Sequence, residues 1–105
     1  MNLEALTTQA GRAETLLKAI ANRYRLMVLC ELHQGELSVS ALQQRIGLSQ
    51  SALSQHLAKL RAEGIVATRR DAQTIYYSLA SPEIGRIIAT LHDIYCSDSC
   101  PPERT

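Results

Sequence analysis

The chain has 105 residues, 46% of them apolar, with four tyrosines and neither phenylalanine nor tryptophan, and eleven basic against ten acidic side chains leave a net charge of +1. That length suits one domain with a modest aliphatic core, and the charge excludes a uniformly basic nucleic-acid coat. No stretch approaches the roughly 20 apolar residues of a membrane helix, so no membrane partner is expected. From Leu3 to Ile20, the residues Leu3, Leu6, Ala10, Ala13, Leu16, Leu17 and Ile20 recur at three- and four-residue steps, which predicts one amphipathic helix. Gly11 weakens it by about 1 kcal/mol against alanine. A second helix, Arg23 to His33, carries Tyr24, Leu26, Met27, Val28, Leu29, Cys30 and Leu32. That is too many apolar groups for one stripe, so burial on most sides is expected, and Gly35 ends it.

Between Val39 and Val66 lie two short amphipathic helices separated by Gly47-Leu48-Ser49, the sequence form of a helix-turn-helix. Val39, Leu42 and Ile46 mark the core face of the first, and Leu53, Leu57 and Leu60 that of the second. Gly47 can take the left-handed conformation that ends the first helix, and Ser49 can cap the second. The outer face of the second helix offers Gln50, Ser51, Ser54, Gln55 and Lys59. Amides and hydroxyls suit base edges in a DNA major groove and lysine suits phosphate, whereas the plain alternative is a solvated face.

After Gly64 the period changes. Residues 65–70 and 74–79 are rich in β-branched and aromatic side chains and flank Asp71-Ala72-Gln73, which reads as a hairpin lying against the helices. Arg69 and Arg70 stand beside its tip and would reach phosphate or a minor groove, making it a wing. Charge follows the same segment: residues 45–77 hold five basic side chains against two acidic, the distribution that draws phosphate. Ser81-Pro82-Glu83 then opens a last helix with a cap, a first-position proline and an acidic first turn. It runs to Cys96 with a stripe of Ile84, Ile87, Ile88, Leu91, Ile94 and Tyr95, and residues 97–105 read as a frayed tail. The expected fold is mainly α with a small β-hairpin wing, a single domain over residues 1–105 with the DNA-binding motif at about 39–79. The helices at about 3–20 and 82–96 carry more apolar surface than so small a domain hides alone. A homodimer would cover it and would suit palindromic double-stranded operator DNA.

This order of elements, with Leu-Ser-Gln-Ser-Ala-Leu-Ser-Gln-His-Leu-Ala-Lys-Leu-Arg-Ala-Glu-Gly-Ile-Val at residues 48–66, closely resembles the ArsR family of small dimeric winged-helix repressors. The resemblance spans about Ala13 to Cys96 and implies repression relieved by an inducer. Two sensing sites familiar in that family are missing. Where arsenic sensors carry Cys-Val-Cys, this chain has Ser38-Val39-Ser40, and hydroxyls are poor ligands for a soft metalloid. Where zinc sensors place Asp and His along the last helix, only His92 and Asp93 stand here. No metal site or other cofactor is assigned.

The placement of Cys30 and Cys96, in Leu-Cys-Glu-Leu and Ile-Tyr-Cys, resembles the branch of the family that senses reactive sulfur species, the SqrR, BigR and HlyU branch. The resemblance implies that persulfides join the two thiols within one subunit and so release DNA. Taken singly, Cys30 reads as a small core hydrophobe and Cys96 as an idle tail thiol. Cys100 adds an alternative: His92, Cys96 and Cys100 would share a face if the helix continued, giving a thiophilic metal or metalloid sensor with Cys96, Cys100 and Cys30. Pro101-Pro102 argues that it stops first. A thiol enzyme with Cys96 as nucleophile and His92 as base has no accompanying oxyanion or substrate signature. The start of the chain lacks the basic-then-apolar order of a secretion signal, so a cytoplasmic location is expected, where three cysteines are not a standing disulfide framework.

Overall fold

The computed structural model describes residues 2–96; the expected tail at 97–105, with Cys100, lies outside the described residues. Helix α1 is Leu3–Ile20, α2 Arg23–His33, β1 Leu37–Ser38, α3 Val39–Ile46, α4 Gln50–Ala62, β2 Val66–Asp71, β3 Thr74–Leu79 and α5 Pro82–Cys96. Each helix begins where a short side chain can replace the missing acceptor. Asn2 accepts from the Ala5 amide at 2.7 Å, and Asn22 from those of Tyr24 and Arg25 at 3.0 and 3.1 Å. Ser38 and Ser49 do the same for α3 and α4, each at 3.2 Å, and Ser81 caps α5 through Ile84 at 3.5 Å. Such caps contribute about 1 kcal/mol apiece.

Helix α2 is the hub, touching α3, α4, α5 and β3. Its Val28, Leu29 and Leu32 join Ala19 and Ile20 of α1, Leu42 of α3, Leu53, Leu57 and Leu60 of α4, Ile65, Val66, and Ile84 and Ile88 of α5 in one aliphatic core. Burial of α2 is less complete than its composition implied, because Tyr24 and Met27 remain 37% exposed. The tight turn of the motif forms as its residues require: Gly47 sits at φ 81° and Leu48 packs on the core. Gly11 leaves α1 continuous.

The sheet has one strand more than the sequence predicted. Leu37–Ser38 pairs with β3 on the side away from β2, giving the order β1-β3-β2, all antiparallel. Two residues are too short to show an alternating pattern, so pairing and not periodicity makes this strand. Its Leu37 lies opposite Tyr77 and its Ser38 opposite Tyr76. The hairpin between β2 and β3 turns on Ala72 and Gln73, since Asp71 pairs with Thr74. Ala72 has a φ of 58°, the only positive φ at a non-glycine residue among those described. Positive φ at the first central residue is the type II′ pattern, a position that favours glycine.

Candidate nucleic-acid interface and thiol pair

Helix α4 buries Leu53, Leu57 and Leu60 and therefore turns its other side outward. At 100° per residue, Ser51 and Gln55 fall opposite the buried face and Lys59 on one shoulder; all three are exposed. Gln50 and Ser54 fall on the other shoulder, where the wing approaches. There an open groove of about 790 Å³ is lined by Gln50, Ser54 and Arg61 of α4, by Gln73, Ile75 and Tyr77 of the hairpin, and by the start of α3 at Ser38 to Ser40. The five predicted side chains of α4 thus fall in three places: Ser51 and Gln55 at the crest, Gln50 and Ser54 in the cleft beside it, and Lys59 on the shoulder away from the cleft.

Arg61 and Gln73 enter this cleft without having been singled out by sequence. Arg61 could have been found, since it is seven residues beyond Ser54 and eleven beyond Gln50, on the same stripe. Gln73 could not, because only the hairpin geometry brings it opposite α4. Among the described residues Lys59, Arg61 and Arg70 take part in no ion pair, whereas Arg45 is paired with Glu31 at 3.3 Å and Arg69 with Glu36 at 2.7 Å. The basic segment therefore presents fewer uncompensated charges than its composition suggests. Hydrogen bonds from Arg69 hold the Glu36 carboxyl below the usual carboxylate range, and burial opposes them only in part. A group with a lowered folded pKa stabilises above its unfolded value, so this pair is lost only as pH falls through the lowered one.

The inner shoulder of α4 is held from behind. Arg25 donates from Nε to the Ala19 carbonyl at 2.6 Å, and its Nη1 lies 3.5 Å from His56 Nδ1. The Tyr24 ring stands 6.0 Å from the same imidazole. One guanidinium thus bridges the end of α1 and α4.

Cys30 lies in α2 and Cys96 at the last position of α5, and both thiols are half-buried. The two helices pack on each other: a methyl added at Gly85, in the first turn of α5, would stand 3.8 Å from His33 Nδ1, in the last turn of α2. Among the described residues no three His, Cys, Asp or Glu side chains are grouped closely enough to hold a metal ion. Cys100, on which the metal alternative depends, falls outside them. Nor does any helix among the described residues have the length and apolarity to cross a membrane.

Comparison with known proteins agrees with this architecture. Residues 22–68 match the model of the bacterial regulatory protein, arsR family. The transcriptional activator HlyU of Vibrio cholerae is 52% identical over 96 residues, covering 91% of this chain and 89% of HlyU. The structure of reduced HlyU from that organism superposes with a TM-score of 0.86 at 51% identity, over 90% of this chain and 99% of the other. The repressor BigR from Xylella fastidiosa gives 0.82 at 40% identity, over 91% and 98%. A homodimeric winged helix-turn-helix DNA-binding domain from Mycobacterium bovis gives 0.78 at 28% identity, over 89% and 86%. With its recognition helix, wing and flanking helices in the same order as theirs, the chain belongs to the ArsR family of DNA-binding transcriptional regulators and has their winged helix-turn-helix fold.

Proposed function

We propose that this regulator is a homodimeric, cytoplasmic repressor whose grip on operator DNA is relieved when reactive sulfur species link Cys30 to Cys96. The observation that carries the sensing half is that the two half-buried thiols stand on helices packed against each other, α2 and α5. BigR, at 40% identity, is named a repressor and supports this direction of control, whereas HlyU, at 52%, is named an activator. Ser51 and Gln55 at the crest of α4 read base edges together with Gln50 and Ser54 from the cleft, while Lys59 and Arg70 meet phosphate.

The chemistry balances without a further oxidant. Cys96 takes the outer sulfur of a low-molecular-weight persulfide, releasing the donor as a thiol and becoming a persulfide itself. The Cys30 thiolate then attacks the carbon-bound sulfur of Cys96 and expels hydrosulfide, leaving a disulfide. If Cys30 is also persulfidated first, attack by one persulfide on the other expels hydrosulfide and leaves a trisulfide. A plain disulfide needs Cα atoms within about 7 Å, and each added sulfur relaxes that limit. Closure would tie the central helix to a terminal one and alter the separation of the two recognition helices, which must match about 34–36 Å of DNA.

The test reads DNA release and intact mass together after a persulfide donor is added to wild type and to Cys30→Ser, Cys96→Ser and Cys100→Ser. The first two variants should stay bound and unbridged, and Cys100→Ser should respond as wild type does. Release by the Cys30 variant, or a requirement for Cys100, would falsify the sensing half and leave DNA binding untouched.

A further inference from the structure

Arg69 and Arg70 are adjacent in β2, yet strand alternation sends them to opposite faces of the sheet. Arg70 is registered with Ile75 and Thr68 with Tyr77, and Ile75 and Tyr77 are the hairpin residues that line the cleft in front of α4. Arg69 is registered with Tyr76 and so faces away from the recognition helix. On that far face its guanidinium carbon lies 4.6 Å from the Tyr76 ring centroid. Its Nε donates to Glu36 Oε2 at 3.1 Å and its Nη2 to Glu36 Oε1 at 2.7 Å, both in the fork geometry that only arginine offers. Glu36 immediately precedes β1, the strand on the other edge. The contact therefore reaches from β2 over β3 to the loop that joins α2 to the motif.

We propose that Arg69 is a positioning residue and not a phosphate contact: with Tyr76 and Glu36 it clasps the wing to the α2–α3 connection and sets the angle between the wing and α4. The inference requires only that the protein binds DNA and is independent of its thiols. Three features support it together. The side chain stands on the wrong face of the sheet for the cleft, both ends of its fork are occupied by one carboxylate, and its guanidinium lies over an aromatic ring. A phosphate contact would forfeit the fork and the stack at once. Lysine separates the two roles, because it serves phosphate as a point charge but can neither fork to a carboxylate nor stack as a plane.

The experiment measures affinity of the full chain across a salt series, using as probe the duplex enriched from a random-sequence pool. Wild type is compared with Arg69→Lys, Arg69→Ala, Glu36→Gln, the Arg69→Ala/Glu36→Gln double variant and Arg70→Ala. Each single clasp variant should bind about two- to fivefold more weakly, with the slope of log affinity against log salt unchanged. The double variant should be no weaker than either single one, because the same contact is lost. Arg70→Ala should flatten the slope by about one. Wild-type affinity in Arg69→Lys, a slope flattened by about one in Arg69→Ala, tighter binding by Glu36→Gln, or wild-type affinity in every clasp variant each overturns the proposal.

Discussion

The two motif helices and the two terminal helices carry apolar stripes of the same period, and their fates differ. Leu42, Leu53, Leu57 and Leu60 of the motif are 0–2% exposed, whereas Leu3, Leu6 and Leu17 of α1 are 78%, 52% and 55% exposed, and Ile94 and Tyr95 of α5 are 63% and 74% exposed. Within α1 only Ala19 and Ile20 are fully buried and Leu16 packs partly on the core, so its first three turns stand off it. Periodicity says that a face is apolar and is silent about which chain covers it. In the motif the same chain covers it; in the outer parts of α1 and α5 the described residues leave most of it exposed. That difference is the structural support for a dimer, and it also separates residues that hold the fold from residues available to hold a partner.

The sharpest way to break the comparison is from inside the motif. Leu53→Ala removes a side chain with no exposed surface and should destabilise the fold by about 2–5 kcal/mol, read as a lower urea midpoint at an unchanged slope. Against a total of about 5–15 kcal/mol that is a large fraction. Next in size is the double variant Leu6→Glu/Ile94→Glu, on the exposed stripes. It should leave helicity and thermal unfolding of the protomer intact, sediment as a monomer, and bind operator DNA about a hundredfold more weakly through loss of linkage between two half-sites. A variant that unfolds instead would show that these residues belong to the core. Ile88 is unsuited to this test despite lying on the same helix, because it is 1% exposed and its loss would break the protomer first. The smallest effect lies in neither region. Ala72→Gly relieves a positive φ at the wing tip and should stabilise the protein by about 0.5–1 kcal/mol, seen as a higher thermal midpoint.

The helices were legible in the sequence because each combines an apolar period with a cap or breaker, as Gly47 and Ser49 do around the turn. The crest of α4 followed from the same period, since fixing Leu53, Leu57 and Leu60 inward fixes Ser51 and Gln55 outward. What sequence could not supply are contacts between residues far apart in the chain. Glu36 and Arg69 are 33 residues apart, and nothing local to either announces the pair. The basic run Arg69-Arg70 read as two equivalent cations, yet strand parity puts Arg70 on the face of the sheet toward α4 and Arg69 on the far face. The exposure of Tyr24 and Met27 was hidden for a related reason: a helix rich in apolar residues looks buried until its neighbours are counted.

The edge pairing of β1 with β3 has a topological consequence. Leu37 and Ser38 are bonded to Tyr77 and Tyr76, and everything between them, including both helices of the motif, is a closed excursion of the chain. The helix-turn-helix is therefore not an appendage on a scaffold but a loop whose two ends are fastened together at the sheet. Closing such a loop costs entropy once, at its neck, and every contact inside then forms within a confined segment. Fraying of the neck releases the wing and α3 together, so the two share one opening equilibrium instead of loosening one at a time.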